Sequence, residues 1–192
     1  MPLLRPLRDY SEKDVLNLYT FSGQTTTTQI VNKGTLVKIV GDGWRSDTEP
    51  TELLGSYGDF SVNNVQAQRY GTPAKVTFCG SGATEYPIGL TLFDVRELDE
   101  NTIPLKYNPR KAAELEACIS GQTVPIVTKG VFLYSGLTGS LTAGAPIYAG
   151  ASGTITAFPP IASGATATVS NKIGVVLGVT GADGSALIRL SI

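Results

Sequence analysis

Short runs of β-branched, aromatic and aliphatic residues recur along the chain, and glycine, proline or polar residues separate most of them. Such runs, bounded by turn residues, are typical of β-strands. From Val124 onward the runs follow one another at short spacing, which favours a small antiparallel barrel or sandwich over a parallel sheet. The sequence therefore predicts a mainly β fold. The predicted strands are Thr35–Val40, Ala74–Cys79, Ile88–Val95, Val124–Val127, Val131–Tyr134, Pro146–Tyr148, Thr154–Ala157, Ile173–Val179 and Ala186–Leu190.

One segment has helical rather than strand spacing. Asn108 is a suitable N-cap, and Pro109 suits the first helical position. We therefore predict one short helix over about residues 109–119, docked on the β-body because so short a helix is marginal alone. The apolar residues that recur on its predicted face are Ala112, Leu115 and Ile119.

The first thirty residues differ from the rest of the chain. Prolines near the start favour extended backbone. Ser11 resembles an N-cap followed by an acidic first turn, which predicts a short helix running to about Tyr19. We interpret residues 1–30 as an extended N-terminal arm and residues 31–192 as a β-rich body.

Composition mainly restricts the chemistry that the chain can perform. The 15 basic and 16 acidic residues give a net charge of −1, and there is no histidine. The lack of histidine excludes Ser-His-Asp and Cys-His nucleophiles and any His-ligated metal. The balanced charge lacks the basic footprint of a nucleic-acid-binding protein.

Charge is unevenly distributed along the sequence. Residues 1–131 hold 28 of the 31 charged residues, and only Lys172, Asp183 and Arg189 follow. A surface facing water normally carries more charge, whereas charged residues are depleted at the centre of protein interfaces. The C-terminal stretch is therefore either a buried sheet with neutral loops or a region that packs against other subunits.

Candidate catalytic acids and ion sites are weak. Four acids near the end of the third predicted strand have two interpretations. They could include a carboxylate pair for glycoside hydrolysis, but a solvated charged turn is the favoured interpretation. A glycine-rich loop contains two acids, but their spacing does not match a calcium loop, and no phosphate-binding glycine motif occurs. We expect no catalytic residue, metal or cofactor. The acids concerned are Asp94 at the end of that strand, Glu97, Asp99 and Glu100 after it, and Asp42 and Asp47 in the loop.

Cysteine and aromatic residues give equally limited signals. Cys79 and Cys118 lack a visible activating base, so we predict buried free thiols. Trp44 with Tyr57 and Tyr70 is the one candidate sugar-binding platform, although packing in a core or interface is the favoured interpretation. No signal-peptide pattern opens the sequence, and no apolar run reaches the roughly 20 residues of a membrane span. We expect synthesis and folding in a reducing cytoplasm, with no membrane or small-molecule partner.

Several glycine-spaced segments occur in an order that resembles the capsid cement, or head decoration, proteins of tailed bacteriophages. The resemblance extends over about residues 30–192, while the N-terminal arm and the helix at Pro109 are additions to the family pattern. The segments that carry it are Asn32–Val37, Tyr86–Leu90, Ala143–Thr156, Ile173–Gly178 and Gly184–Leu190.

The resemblance implies a structural virion protein without enzymatic activity. Such a protein decorates and stabilises the capsid by bridging neighbouring subunits of the major capsid protein, and members of this family commonly act as trimers. It implies synthesis in the host bacterial cytoplasm and final residence in the virion capsid. Three alternatives stay open: a tail tube or baseplate subunit, a carbohydrate-binding module, and an all-β hydrolase with two carboxylates.

We expect the N-terminal arm to contact the shell. It combines apolar and charged side chains but has too little apolar surface to fold alone, and arginine pairs bidentately with carboxylates. The alternative is that the arm completes the protein's own sheet. The candidate contact residues are Arg5, Arg8, Asp9, Tyr10 and Lys13.

Overall fold

The chain folds into several β-sheets, which include a curled half-barrel, and one short α-helix. This confirms the predicted mainly β fold class. The structure is a computed structural model that describes residues 3–7, 10–22, 31–41, 75–82, 84–119, 122–137, 141–157, 172–179 and 185–192.

Each of the nine predicted strands overlaps at least one strand of the structure. In chain order the strands are β1 (Leu3–Pro6), β2 (Val15–Leu16), β3 (Thr20–Phe21), β4 (Leu36–Ile39), β5 (Lys75–Phe78), β6 (Pro87–Thr91), β7 (Asp94–Val95), β8 (Ala117–Cys118), β9 (Ile126–Val127), β10 (Lys129–Ser135), β11 (Pro146–Ala149), β12 (Ile155–Thr156), β13 (Lys172–Gly178) and β14 (Ser185–Ser191). The helix α1 spans Pro109–Glu114, and short 3₁₀ turns cover Glu12–Asp14, Leu105–Tyr107 and Ala151–Gly153.

The strands of the described residues form two six-stranded sheets and one pair. Sheet A has the order β1-β10-β14-β13-β11-β12, and every neighbouring pair in it is antiparallel. Sheet B has the order β2-β9-β6-β4-β5-β3, in which only β3 and β5 run parallel. Sheet C pairs β7 with β8 in parallel. The charge-poor C-terminal part of the chain thus supplies most of sheet A.

The central part of sheet B is buried on both faces. Leu36 belongs to a core cluster shared with sheet A, whereas its neighbour Val37 belongs to a second cluster on the opposite face. Val127 and Ile126 divide in the same way. Successive side chains of a strand point to opposite faces, so a strand covered on both sides needs consecutive apolar residues. This explains why these strands do not alternate between apolar and polar residues.

A turn of sheet A docks directly on sheet B. The Gly153 N–H donates to the Cys79 carbonyl oxygen at 2.7 Å. Gly153 has a φ of +76°, and a Cβ atom there would lie 2.6 Å from Thr35 Cγ2 and 3.0 Å from the Leu36 carbonyl oxygen. Only glycine fits this conformation and this close approach without strain.

The N-terminal segment is extended as predicted, but its described parts belong to the sheets. β1 pairs with β10 so that Leu4 lies opposite Tyr134, β2 pairs with β9, and β3 pairs with β5. Leu4, Tyr19 and Phe21 are buried. The described residues of this segment thus match the alternative in which the arm completes the protein's own sheet, because their apolar side chains gain free energy by burial.

Both predicted helices are shorter than expected, although their caps are correct. The Asn108 Oδ1 atom accepts a hydrogen bond from the Lys111 N–H at 3.2 Å. The helix ends at Glu114 rather than Ile119 because Glu116 adopts a φ of +47° and the chain then enters β8. The segment capped by Ser11 forms only a short 3₁₀ turn, since the residues that follow it pair with β9.

Candidate interaction surfaces

Three of the five predicted contact residues lie exposed on the N-terminal segment. Arg5 projects from β1, an edge strand of sheet A, and Lys13 lies in the first 3₁₀ turn. The Tyr10 ring lies 6.1 Å from the Phe132 ring, measured between centroids. The three exposed residues therefore belong to different local elements of the segment. The other two candidates, Arg8 and Asp9, lie outside the described residues.

The face of sheet A that points away from the core carries a strip of apolar residues among exposed basic ones; we call it the outer face. Leu133 lies opposite Leu187, and Arg189 lies between Val131 and Val175 in the register. Their sequence neighbours on the same strands point into the core. The apolar residues of this face, all half-buried, are Val131, Leu133, Pro146, Val175 and Leu187.

A second surface is the segment Asp99–Glu114, which we call the 99–114 lobe. The Asp99 Oδ1 atom accepts hydrogen bonds from the N–H groups of Asn101 at 2.7 Å and Ile103 at 2.8 Å. The Asp99 N–H donates to the Ile103 carbonyl oxygen at 3.0 Å. These bonds close a tight turn at the start of the lobe and fix its shape.

One buried leucine anchors the lobe and leaves its neighbours in solvent. Leu105 is 1% exposed, and its N–H donates to the Glu97 carbonyl oxygen at 2.9 Å. Ile103 and Tyr107, two residues away on either side, are 52% and 78% exposed. The Lys106 ammonium group lies 4.9 Å from the centroid of the Tyr107 ring.

The acidic residues around the lobe shape turns. The Asp94 Oδ1 atom accepts a hydrogen bond from the Lys33 N–H at 2.7 Å, and Asp99 closes its own turn. Glu100 pairs with Lys111 at 3.5 Å. These contacts agree with the interpretation of the segment as a charged turn.

Both cysteines are free and buried, which confirms that prediction. Burial raises the pKa of Cys79 and of Cys118 from 9.0 to about 11. Both thiols are therefore protonated at neutral pH, and a protonated thiol is a poor nucleophile.

An ion pair beside Cys79 was not anticipated from the sequence. Lys38 Nζ lies 2.6 Å from Glu85 Oε1, and Glu85 Oε2 accepts a hydrogen bond from the Gly80 N–H at 3.0 Å. The hydrogen bonds from Lys38 and Gly80 lower the pKa of Glu85. The available signal was Lys38 itself, a charged residue within an otherwise apolar strand.

The part of the chain that the structure describes holds neither a metal cluster nor a membrane helix. No group of three or more His, Cys, Asp or Glu side chains gathers there as a metal site. No helix there is long and apolar enough to cross a membrane. The remaining sequence candidates lie outside the described residues: Asp42, Trp44, Asp47, Tyr57 and Tyr70.

Comparison with known proteins gives no match, so any proposal about function must rest on the sequence, the fold and the exposed surfaces. No protein-family model, curated protein or solved structure matches this chain. The molecule is a mainly β protein with an apolar outer face on sheet A and a lobe that exposes an aromatic and an aliphatic side chain.

Proposed function

We propose that this chain is a structural protein of a tailed-bacteriophage particle, a capsid cement protein that bridges neighbouring subunits of the major capsid protein. It is made in the bacterial cytoplasm and resides in the virion capsid. We further propose that it acts as a homotrimer. Two features support this function: the order of the glycine-spaced segments and the outer face of sheet A.

Three of the five segments that suggest this family are neighbours in space. Ala143–Thr156 contains β11 and β12, Ile173–Gly178 lies in β13, and Gly184–Leu190 overlaps β14. These strands pair in the order β14-β13-β11-β12 within sheet A. These three segments therefore lie in one sheet, whereas Asn32–Val37 and Tyr86–Leu90 overlap β4 and β6 of sheet B.

The outer face of sheet A is the observation that carries the proposal. Its residues Val131, Leu133 and Leu187 are half-buried, and the charged residues opposite Leu133 and Val131 in the register are Arg5 and Arg189. Apolar side chains accompanied by arginine are typical of the centre of a protein interface. Closed symmetry allows such a face to be buried between copies without growth of fibres.

A cement protein needs repeated binding rather than catalysis. Each copy contacts the same lattice, so many modest contacts together stabilise the particle strongly. A body whose N-terminal segment is already paired in the sheets loses little conformational freedom on docking.

Add-back to particles that lack the protein tests this proposal. The gene for this chain is deleted from the phage genome, the particles are purified, and the purified protein is titrated onto them. We expect saturable binding in fixed proportion to the major capsid protein and a higher temperature of genome release.

Two results would contradict the proposal. One is absence of binding at micromolar protein. The other is a deletion phenotype of normal heads without tails, which would point to a tail tube or baseplate subunit instead.

A further inference from the structure

We propose that the 99–114 lobe is a docking surface for a protein partner that presents an apolar pocket bordered by carboxylates. This inference rests on the proposed function, under which the partner surface belongs to the capsid shell. It assigns the contact to the lobe, in addition to the exposed residues of the N-terminal segment.

The lobe exposes side chains of the kind that anchor interfaces. Tyr107 is 78% exposed and Ile103 is 52% exposed, although both lie within two residues of the buried Leu105. A few aromatic and arginine residues provide most of the binding energy in typical interfaces. Tyr107 is followed closely by Arg110, whose side chain is 91% exposed.

The distribution of charge in the lobe indicates the chemistry of the partner. The lobe holds three basic residues and three acidic ones: Lys106, Arg110 and Lys111, and Asp99, Glu100 and Glu114. The acids at the start of the lobe already have partners within it, since Asp99 closes its own turn and Glu100 pairs with Lys111. Lys106 and Arg110 are therefore the charges that stand beside the exposed Tyr107.

The contact that Arg110 makes inside the lobe is weak. Arg110 Nε lies 3.4 Å from Glu114 Oε1, and both side chains are largely solvent-exposed. Such surface pairs contribute little to stability, so Arg110 can exchange this partner for a carboxylate on another protein. An acidic rim around an apolar pocket is the complement of this surface.

The lobe is held in one shape before it binds. The Asp99 turn, the buried Leu105 and the Asn108 cap fix successive parts of it. Thr102 adopts a φ of +63°, which is unfavourable for a β-branched residue. Residues in sparsely populated conformations persist where the surrounding structure holds them, often at binding sites. A rigid surface loses less entropy on association than a flexible loop.

Binding of variants to the protein-depleted particles tests the inference. Tyr107→Ala should weaken binding about thirtyfold, the loss expected for an interface anchor. Tyr86→Ala is the matched control, because Tyr86 is a comparably exposed tyrosine (70%) outside the lobe, and it should bind within about twofold of the unmodified protein. Both variants should melt at the temperature of the unmodified protein, since neither side chain is buried.

Charge reversal tests the acidic character of the partner. The double variant Lys106→Glu/Arg110→Glu should bind at least about tenfold more weakly at low salt, and the difference should shrink as the ionic strength rises. A double variant that binds as tightly as the unmodified protein at low salt would refute an acidic partner surface.

The outcomes separate the inference from the function on which it rests. If the unmodified protein binds and Tyr107→Ala binds like Tyr86→Ala, the lobe is not the contact and the cement function stands. If the unmodified protein does not bind the particles, the proposed function fails, and the lobe's role in it fails too. A selective loss with Tyr107→Ala supports both.

Discussion

Leu4→Ala provides the most direct test of whether the N-terminal segment is part of the folded body. Leu4 is 3% exposed and lies opposite Tyr134 in the β1–β10 register. A Cβ atom built on Gly34 would lie 3.1 Å from Leu4 Cβ and 3.2 Å from Tyr134 Cε2. The Leu4 side chain therefore fills a space between the backbone of Gly34 and the ring of Tyr134 on β10.

The expected loss follows from these neighbours. Truncation of a buried leucine costs about 2–5 kcal/mol, and the loss grows with the cavity that remains. Gly34 has no side chain to move into the space, and β10 holds Tyr134 in place, so the cavity should persist. We expect a loss of about 3 kcal/mol in the free energy of unfolding. For a chain of this size that corresponds to a fall of about 6–12 °C in Tm.

Chemical denaturation measures this loss. The free energy of unfolding should depend on denaturant concentration with the same slope in the variant and in the unmodified protein. Arg5→Ala is the control on the same strand, because its exposed side chain leaves the backbone pairing intact, and it should change stability by less than about 0.5 kcal/mol. Deletion of residues 1–22 should abolish the cooperative transition altogether, since it also removes the buried Tyr19 and Phe21. If Leu4→Ala matches Arg5→Ala and the deleted protein keeps its transition, β1 is a detachable arm and our assignment is wrong.

Three further predictions concern the sheet contacts, the thiols and the outer face. Gly153→Ala should cost about 2 kcal/mol or more in denaturation, whereas Gly144→Ala should cost less, because both have positive φ but of the two only Gly153 meets neighbouring atoms. Burial raises the pKa of Cys79 and Cys118 from 9.0 to about 11, so the unfolded chain loses these protons first. The free energy of unfolding should therefore fall as pH rises from about 9 to about 11, and a variant with alanine at both positions should lack that part of the fall. Sedimentation should find a trimer that Leu187→Glu converts to monomer; a 20.1 kDa monomer for the unmodified protein would contradict the trimer.

The strands were predictable because their signals are local. The run Thr35–Val40 and the run Ile173–Val179 are apolar, β-branched and bounded by polar or glycine residues, and they contain β4 and most of β13. Burial of sheet B on both faces reinforces these signals, since it requires consecutive apolar residues. The outer face was foreseen only as a charge-poor stretch, which fitted a buried sheet equally well.

The errors arose where distant pairing overrides local preference. Helical spacing through Ile119 is real, but pairing of β8 with β7 takes the chain out of the helix after Glu114. The position of β1 depends on β10, which lies far along the chain, so no local pattern could reveal it. The exposure of Tyr107 was equally hidden, because it depends on which lobe residue enters the core.

The position of the N-terminal segment changes the entropy that the proposed binding to the shell would cost. A mobile arm would lose about 1–2 kcal/mol of backbone entropy per residue on docking. Since β1, β2 and β3 are already paired, Arg5, Tyr10 and Lys13 are presented without most of that loss. The 99–114 lobe should also lose little backbone entropy on binding, because the hydrogen bonds of Asp99 already close its turn in the free protein.

Stability and binding should therefore respond to different residues. Leu4→Ala should lower the melting temperature yet leave the affinity of the folded protein for the depleted particles intact, because the buried Leu4 side chain offers no surface for contact. Tyr107→Ala should do the reverse, since its exposed ring contributes to binding rather than to the core. Particle-binding titrations of both variants, run well below their melting temperatures, measure the two effects separately. If Leu4→Ala weakened binding under those conditions, the N-terminal segment would have to rearrange on the shell, and binding by a preformed surface would be refuted.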